Sequence, residues 1–303
     1  MITVPPAYVE RQTQRNGDVV GAWLASLPDL VRRLCAQWRV RPTGEPPLHG
    51  DENLVVPVLG TDGPAMLKLG PPGPAVLAEI AGLRAWAGRG AVAQLAAAPA
   101  DYALLMERLD PHRSLRDLPV YDGASIAGGL IARLAVDPTD EMLRLGVVPR
   151  LADIAATIAA TAAARDDALG NPVPGRFLEA ARTNAGELAP IAADRLVHAD
   201  LHQGNVLAAT REPWLAIDAR TVIGDPEYSV PELLWRGVDE VDGEAGVRRL
   251  LATVVDAGGL DADRARGWAI ARCVDYWLWG LANGLTDDPV RCERIIAALL
   301  PGA

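Results

Sequence analysis

Three cysteines in 303 residues, Cys35, Cys273 and Cys292, are too few and too far apart for a disulfide framework, and no C-x-x-C pair suggests a zinc site. They are expected as buried thiols in a reducing compartment. Only four histidines are present, few for a histidine-rich metal centre. No G-x-S-x-G occurs, so a nucleophile-elbow hydrolase is not supported. No run reaches about 18 uncharged apolar residues, the length a membrane helix needs. The nearest, "WAIARCVDYWLWGLANGL", is interrupted by Arg272 and Asp275. The opening residues lack a basic region followed by an apolar run, so no secretion signal is expected. Basic residues are the minority, 29 against 39 acidic, with a net charge of -10. That balance disfavours nucleic acid or an anionic membrane as partner and would attract cations. The expectation is a cytoplasmic monomer.

What is present is half hydrophobic and 22% charged, enough for one large domain or two lobes with a substantial core. Periodicity predicts an amphipathic helix over Trp23 to Val40 and two strands in "NLVVPVLGTDGPAMLKLG" around the turn Thr61-Asp62-Gly63-Pro64. A helix starts at Pro74 and stops near Gly88 to Gly90. "AVAQLAAAP" and "YALLMERL" read as strands. Beyond them helical patterns dominate, near 123–135, 149–168, 175–190, 229–238, 244–256, 261–283 and 289–299. The prediction is a small β-rich unit, 1–108, then a mainly helical unit, 109–303. They meet at "MERLDPHRSL", where Pro111 breaks the preceding strand.

Inside the helical part, "RLVHADL" enters a polar loop as a short strand and "NVLAA" leaves it as another. His198, Asp200 and Asn205 match H-x-D-x-x-x-x-N, the kinase catalytic loop, with Ala199 where protein kinases carry Arg. In that scheme the aspartate orients or deprotonates the attacking hydroxyl and the asparagine holds Mg²⁺. "PWLAIDAR" is the next strand, and Asp218 at its end is read as a second Mg²⁺ ligand, because a buried carboxylate is costly unless it meets a cation. Asp225 in "GDPEY" reads as a loop-stabilising carboxylate. Lys68 in "AMLKLG" alone fits an outward position of a half-buried strand. Glu79, eleven residues on in the next helix, makes it half of a strand–helix ion pair reaching nucleotide phosphates. Backbone groups of Glu107 and Leu109 in "LLMERL" are placed against adenine by order along the chain. A metal hydrolase on His198, Asp200 and His202 is the competing chemistry; the "IDAR" strand fits the kinase scheme better.

The segments "AWLASLPDLVRRLCAQW", "AMLKLGPP", "LRAWAGRGAV", "LLMERLDPHRSLRDL", "LVHADLHQGNVL" and "EPWLAIDARTVIGDPEYSVPELLW" resemble the aminoglycoside phosphotransferase superfamily, within it the streptomycin 6-kinase and hydroxyurea phosphotransferase group. The resemblance covers most of the chain. It implies an α+β, two-lobed, protein-kinase-like fold, use of ATP (GTP not excluded) with Mg²⁺, and phosphoryl transfer to a hydroxyl of a small molecule. The leading acceptor is streptomycin, inactivated at its 6-hydroxyl. Asp200 would be the catalytic base, Asn205 and Asp218 the Mg²⁺ ligands, Lys68 the phosphate contact, Glu79 its partner and His198 a brace for the loop. His202 and Gln203 would be loop residues near the acceptor.

Two places depart from the pattern or strain it. The nucleotide-covering loop, His49-Gly50-Asp51-Glu52-Asn53, has a single glycine, and Asp51 and Glu52 would repel phosphates. They are expected either to point to solvent or to leave the nucleotide poorly covered. Asp275, among Trp268, Tyr276, Trp277 and Trp279, is the candidate for a cationic acceptor, against the plainer expectation of a core helix with a solvated aspartate. Two alternatives stand beside streptomycin: a kinase of another hydroxylated metabolite, and a nucleotide-binding pseudokinase.

Overall fold

The computed structural model describes residues 2–300, and the chain divides between Leu109 and Asp110 into two compact units. The first opens with helices α1 (Pro6–Asn16) and α2 (Gly21–Trp38). Leu24, Leu27, Val31 and Leu34 recur every three or four residues of α2 and share one face. That face is buried in a core with Tyr8 of α1. Strands β1 (Arg41–Pro42), β2 (Leu48–His49), β3 (Leu54–Gly60), β4 (Gly63–Leu69), β5 (Gln94–Ala98) and β6 (Ala103–Glu107) form an antiparallel sheet in the order β1-β3-β4-β6-β5, with β2 beside β3. The β3–β4 hairpin closes over Thr61 and Asp62, with Gly63 at φ 118°, where a side chain would be strained. Helix α3 (Pro74–Trp86) follows. Its first residue is a proline, whose missing amide costs nothing in a first turn.

Strand β6 ends at Glu107, four residues before Pro111. Pro111 lies inside a further strand, β7 (Asp110–Ser114), instead of breaking the one before it. This short strand pairs with β9 through a shifted register, which accommodates a residue without an amide. The second unit continues with α4 (Val120–Leu134), α5 (Asp140–Leu145), α6 (Leu151–Ala168) and α7 (Gly175–Leu188). Then come β8 (Arg195–His198), β9 (Val206–Ala208), β10 (Trp214–Ala216), β11 (Thr221–Gly224), α8 (Val230–Gly237), α9 (Gly243–Gly258), α10 (Ala262–Ala282) and α11 (Asp287–Leu299). The unforeseen α5 is six residues long and is capped by Thr139 Oγ1, which accepts the Met142 amide. β8 pairs antiparallel with β11, and β9 lies between β7 and β10.

Leu151, Ala155 and Ile158 of α6 and Trp268 and Ala271 of α10 form one core with Val197 of β8 and Val222 of β11. Rigid helices thus support the two strands that border the polar loop. α10 holds the most apolar stretch of the chain, yet among the described residues no helix is long and apolar enough to cross a membrane. The three cysteines are free and buried.

Helices α4 and α9 approach closely at Gly128. A Cβ there would stand 2.5 Å from the Val254 carbonyl oxygen and 3.1 Å from Ala257 Cβ. Backbone cannot swing aside as a side chain can. Gly128→Ala is therefore expected to destabilise the protein by about 1–3 kcal/mol, measured as a lowered midpoint in urea; an unchanged midpoint would mean that the helices separate freely.

Candidate active site

In the first unit, β4 carries Lys68 opposite Val55 and Leu104. Its Nζ meets Glu79 Oε1 of α3 at 2.6 Å, with the two side chains 1% and 5% exposed. Lys68 is the only lysine in the chain; the other 28 basic residues are arginines. A buried ion pair is a weak source of stability, because desolvation offsets the attraction. An ammonium on a flexible stem is a point charge of the kind that can meet phosphate oxygens.

The loop between β2 and β3 is held by α1. Arg11 meets Asp51 Oδ1 at 2.5 Å and Arg15 meets Glu52 Oε1 at 2.8 Å. Gln12, wholly buried, donates to the Asp51 carbonyl at 2.7 Å, and the Tyr8 hydroxyl donates to the Glu52 carbonyl at 2.9 Å. Both loop carboxylates therefore have a cation of their own. At the end of β6, the Glu107 amide donates to the Ala93 carbonyl, and Glu107 Oε1 accepts the Ala93 amide at 2.7 Å. The Leu109 amide has no hydrogen bond to a described residue.

In the second unit the polar loop joins β8 to β9. The His198 ring is buried; Nε2 donates to the Ile217 carbonyl at 2.9 Å and Nδ1 accepts the Asp200 amide at 3.3 Å. Asn205 Nδ2 donates to the Asp200 carbonyl at 2.9 Å and faces Asp200 Oδ2 at 3.5 Å. That commits the amide nitrogen, and Oδ1 is the side-chain atom of Asn205 that could meet a cation. The Ile217 amide donates to the Asn205 carbonyl at 2.8 Å. Asp200, Asn205 and the residue before Asp218 are thus tied together by direct bonds.

Asp218 differs from the expectation in one respect. Strand β10 ends at Ala216, and Asp218 is exposed, with φ 55°. Its backbone is in the left-handed region, unusual for a residue with a Cβ. Its carboxylate is therefore exposed, and not a buried charge that requires a cation.

Burial, together with the nearby Glu232, raises the Asp200 carboxyl to about 7; Arg220 and Arg272 oppose this. His202 is driven the other way, to about 3, by burial and by Arg236 and Arg116. It stays neutral, and its Nδ1 accepts the Gly204 amide at 3.0 Å. A Cβ on Gly204 would stand 2.5 Å from the Arg116 guanidinium, which would have to swing aside.

Sequence reasoning missed the group beneath the loop. Arg272 of α10 donates to the Ala199 carbonyl at 3.2 Å, the Tyr228 carbonyl at 2.8 Å and Glu232 Oε1 at 2.5 Å. Its guanidinium lies between the rings of Tyr228 and Trp235, at 4.2 and 5.2 Å. The only signal was an arginine interrupting an apolar helix. Trp235, Tyr276 and Trp279 continue outward as a ladder with centroids 4.4 and 5.4 Å apart, and Trp279 is exposed. Asp275 stands apart from that ladder's stacking: Arg165 holds its carboxylate at 2.5 Å and its carbonyl at 3.0 Å. Asp225 is buried, accepting the Ala193 amide at 2.7 Å and Trp268 Nε1 at 2.8 Å, and it pairs with Arg264.

The family model described as aminoglycoside/hydroxyurea antibiotic resistance kinase matches residues 37–284. The chain is 36% identical to a streptomycin 6-kinase of Streptomyces glaucescens, over 94% of this chain and 92% of that protein. It is 37% identical to a hydroxyurea phosphotransferase of Kitasatospora aureofaciens, over 100% and 87%. Among solved structures it resembles aminoglycoside phosphotransferase APH(4)-Ia in ternary complex with ADP and hygromycin B, with a TM-score of 0.61 at 15% identity, covering 90% of this chain and 99% of that one. A choline kinase of Streptococcus pneumoniae gives 0.55 at 12% identity, covering 90% and 98%. The fold is the protein-kinase-like one, and the chain belongs to the aminoglycoside/hydroxyurea antibiotic resistance kinase family and is a phosphotransferase.

Proposed function

We propose that this chain transfers the γ-phosphate of ATP to a hydroxyl of an aminoglycoside, with streptomycin at its 6-hydroxyl as the acceptor. The observation that carries the reading is the bonding of Asp200 to Asn205 beside Asp218, in a chain 36–37% identical to two streptomycin 6-kinases along nearly their whole length. Ionised Asp200 takes the acceptor's proton as its oxygen attacks the γ-phosphorus. The bond to the bridging oxygen breaks and ADP leaves.

Lys68 contacts the phosphates, and Glu79 sets its direction. The Leu109 amide and the Glu107 carbonyl seat adenine. Asn205 Oδ1 and the Asp218 carboxylate fit Mg²⁺, a hard cation that takes one or two protein oxygens and completes its shell with phosphates and water. Among the described residues no group of three or more His, Cys, Asp or Glu could hold a metal, which suits a site shared with a nucleotide. When bound, the ion would neutralise charge on the phosphate oxygens. The exposed end of the Trp235–Tyr276–Trp279 ladder supports a cationic acceptor. Asp275 would add to that only if Arg165 released it.

ADP release from Mg²⁺-ATP should depend on streptomycin, and Asp200→Asn should lower it about 10²–10⁴-fold with the fold and nucleotide affinity retained. Stimulation by hydroxyurea in place of streptomycin would move the acceptor to that class. Nucleotide binding with no turnover on any acceptor would make the chain a pseudokinase.

The pH dependence has a defined sign. The base must be ionised, and its carboxyl sits at about 7. At limiting ATP, kcat/KM should fall about tenfold per unit as pH drops below about 7; a flat profile down to pH 5 would remove Asp200 as base.

An ATP analogue with an acyl phosphate at its γ end should acylate Lys68 alone among side chains, and excess ATP should block it. Labelling by mass spectrometry that ATP does not prevent would take Lys68 away from the phosphates.

A further inference from the structure

Two residues past Asp218 stands Arg220. The backbone leaves the left-handed turn at Asp218 and enters β11 at Thr221, so residue 220 is held between a constrained turn and a paired strand. Its carbonyl accepts the Ala199 amide at 2.8 Å, fixing it beside the residue that precedes the base. Its guanidinium Nε lies 4.0 Å from Asp200 Oδ2, and 59% of the side chain is exposed. The same carboxylate oxygen faces Asn205 Nδ2 at 3.5 Å. Base, metal ligand and a permanent cation therefore converge on one oxygen.

Arg272 is spent on two carbonyls and Glu232 beneath the loop, and Arg116 lies against Gly204. Arg220 keeps most of its side chain in solvent on the edge of Asp200. An ion pair at 4.0 Å with that exposure adds little to folding.

We propose that Arg220 is a further catalytic residue, whose guanidinium contacts the oxygens of the transferring phosphoryl group. As the acceptor oxygen bonds to the γ-phosphorus and the bond to the ADP oxygen breaks, negative charge spreads over the equatorial phosphoryl oxygens. The acceptor's proton goes to Asp200, and Arg220 remains protonated throughout. A planar guanidinium can give two parallel N–H bonds to two of those oxygens, which a lysine cannot. The role is that of an arginine finger supplied by the chain itself. The inference rests on the phosphotransferase reading of the Asp200 loop but not on the identity of the acceptor.

The test compares wild type, Arg220→Ala and Arg220→Lys. Four readouts are taken: transfer to streptomycin, the slow transfer to water with no acceptor, ADP affinity by calorimetry, and the thermal unfolding midpoint. Arg220→Ala is expected to lower both transfers in parallel by about 10²–10³-fold. ADP affinity and the midpoint should stay as in wild type, because ADP lacks the transferring group and the side chain is exposed. Arg220→Lys should recover part of the rate. A rise in the KM for streptomycin at unchanged kcat would overturn the proposal, making Arg220 an acceptor contact. Loss of transfer to streptomycin with hydrolysis intact would also overturn it, since Arg220 would then act only through Asp200. A fall in ADP affinity or in the midpoint that matches the lost activity would assign a structural role instead. Should wild type fail to use streptomycin, the hydrolysis comparison still decides. A wild-type protein that binds ATP and releases no ADP under any condition overturns both this and the function proposed above, whereas ADP release indifferent to Arg220→Ala overturns this one alone.

Discussion

One buried imidazole joins the Asp200 loop to the segment that carries Asp218. His198 gives its Nε2–H to the Ile217 carbonyl and its Nδ1 lone pair to the Asp200 amide. One donor and one acceptor are what a neutral ring has to offer, and both are used. Ile217 precedes Asp218, so the ring ties the Asp200 backbone to the residue next to the exposed carboxylate. Backbone bonds from Ile217 to Asn205 and from Ala199 to Arg220 lace the same segments together. Ser229 adds a bond from its hydroxyl to the His198 carbonyl at 3.1 Å.

Around that brace, charges of opposite sign alternate. Glu232 works against ionisation of Asp200, and Arg272 and Arg220 work for it. Arg272 tolerates burial because carbonyls, a carboxylate and two aromatic faces surround its guanidinium, as a desolvated cation requires. The balance leaves a carboxyl near neutrality, the range in which a group can both lack and accept a proton at physiological pH.

Much of this was legible in the sequence, for identifiable reasons. The β3–β4 hairpin and the long helices repeat their apolar residues with regular periods, and such patterns survive tertiary context. His198, Asp200 and Asn205 lie within eight residues, and Lys68 and Glu79 on adjacent elements, so spacing alone could pair them. A further signal lay unused: Lys68 is the one lysine among 29 basic residues. Asp218 was reached through a burial argument that the structure reverses. Asp275 looked unpaired only because Arg165 is 110 residues away. Arg272 and Glu232 are 40 residues apart, and Arg220 and Asp200 meet only when β8 and β11 pair. No local pattern encodes such meetings. Helix α1 escaped notice because its buried side includes Gln12, a polar residue that periodicity counts as outward.

The clasp between α1 and the His49–Asn53 loop has a consequence for modularity. In a glycine-rich loop, shape resides in the loop's own backbone. Here much of it comes from outside, through Tyr8, Gln12, Arg11 and Arg15, on a helix about 40 residues upstream. The loop is therefore not a transplantable part. A chimera that imported residues 49–53 into a related kinase would carry two uncompensated carboxylates and none of the contacts that turn them aside, whereas one that took α1 along would carry those contacts with it.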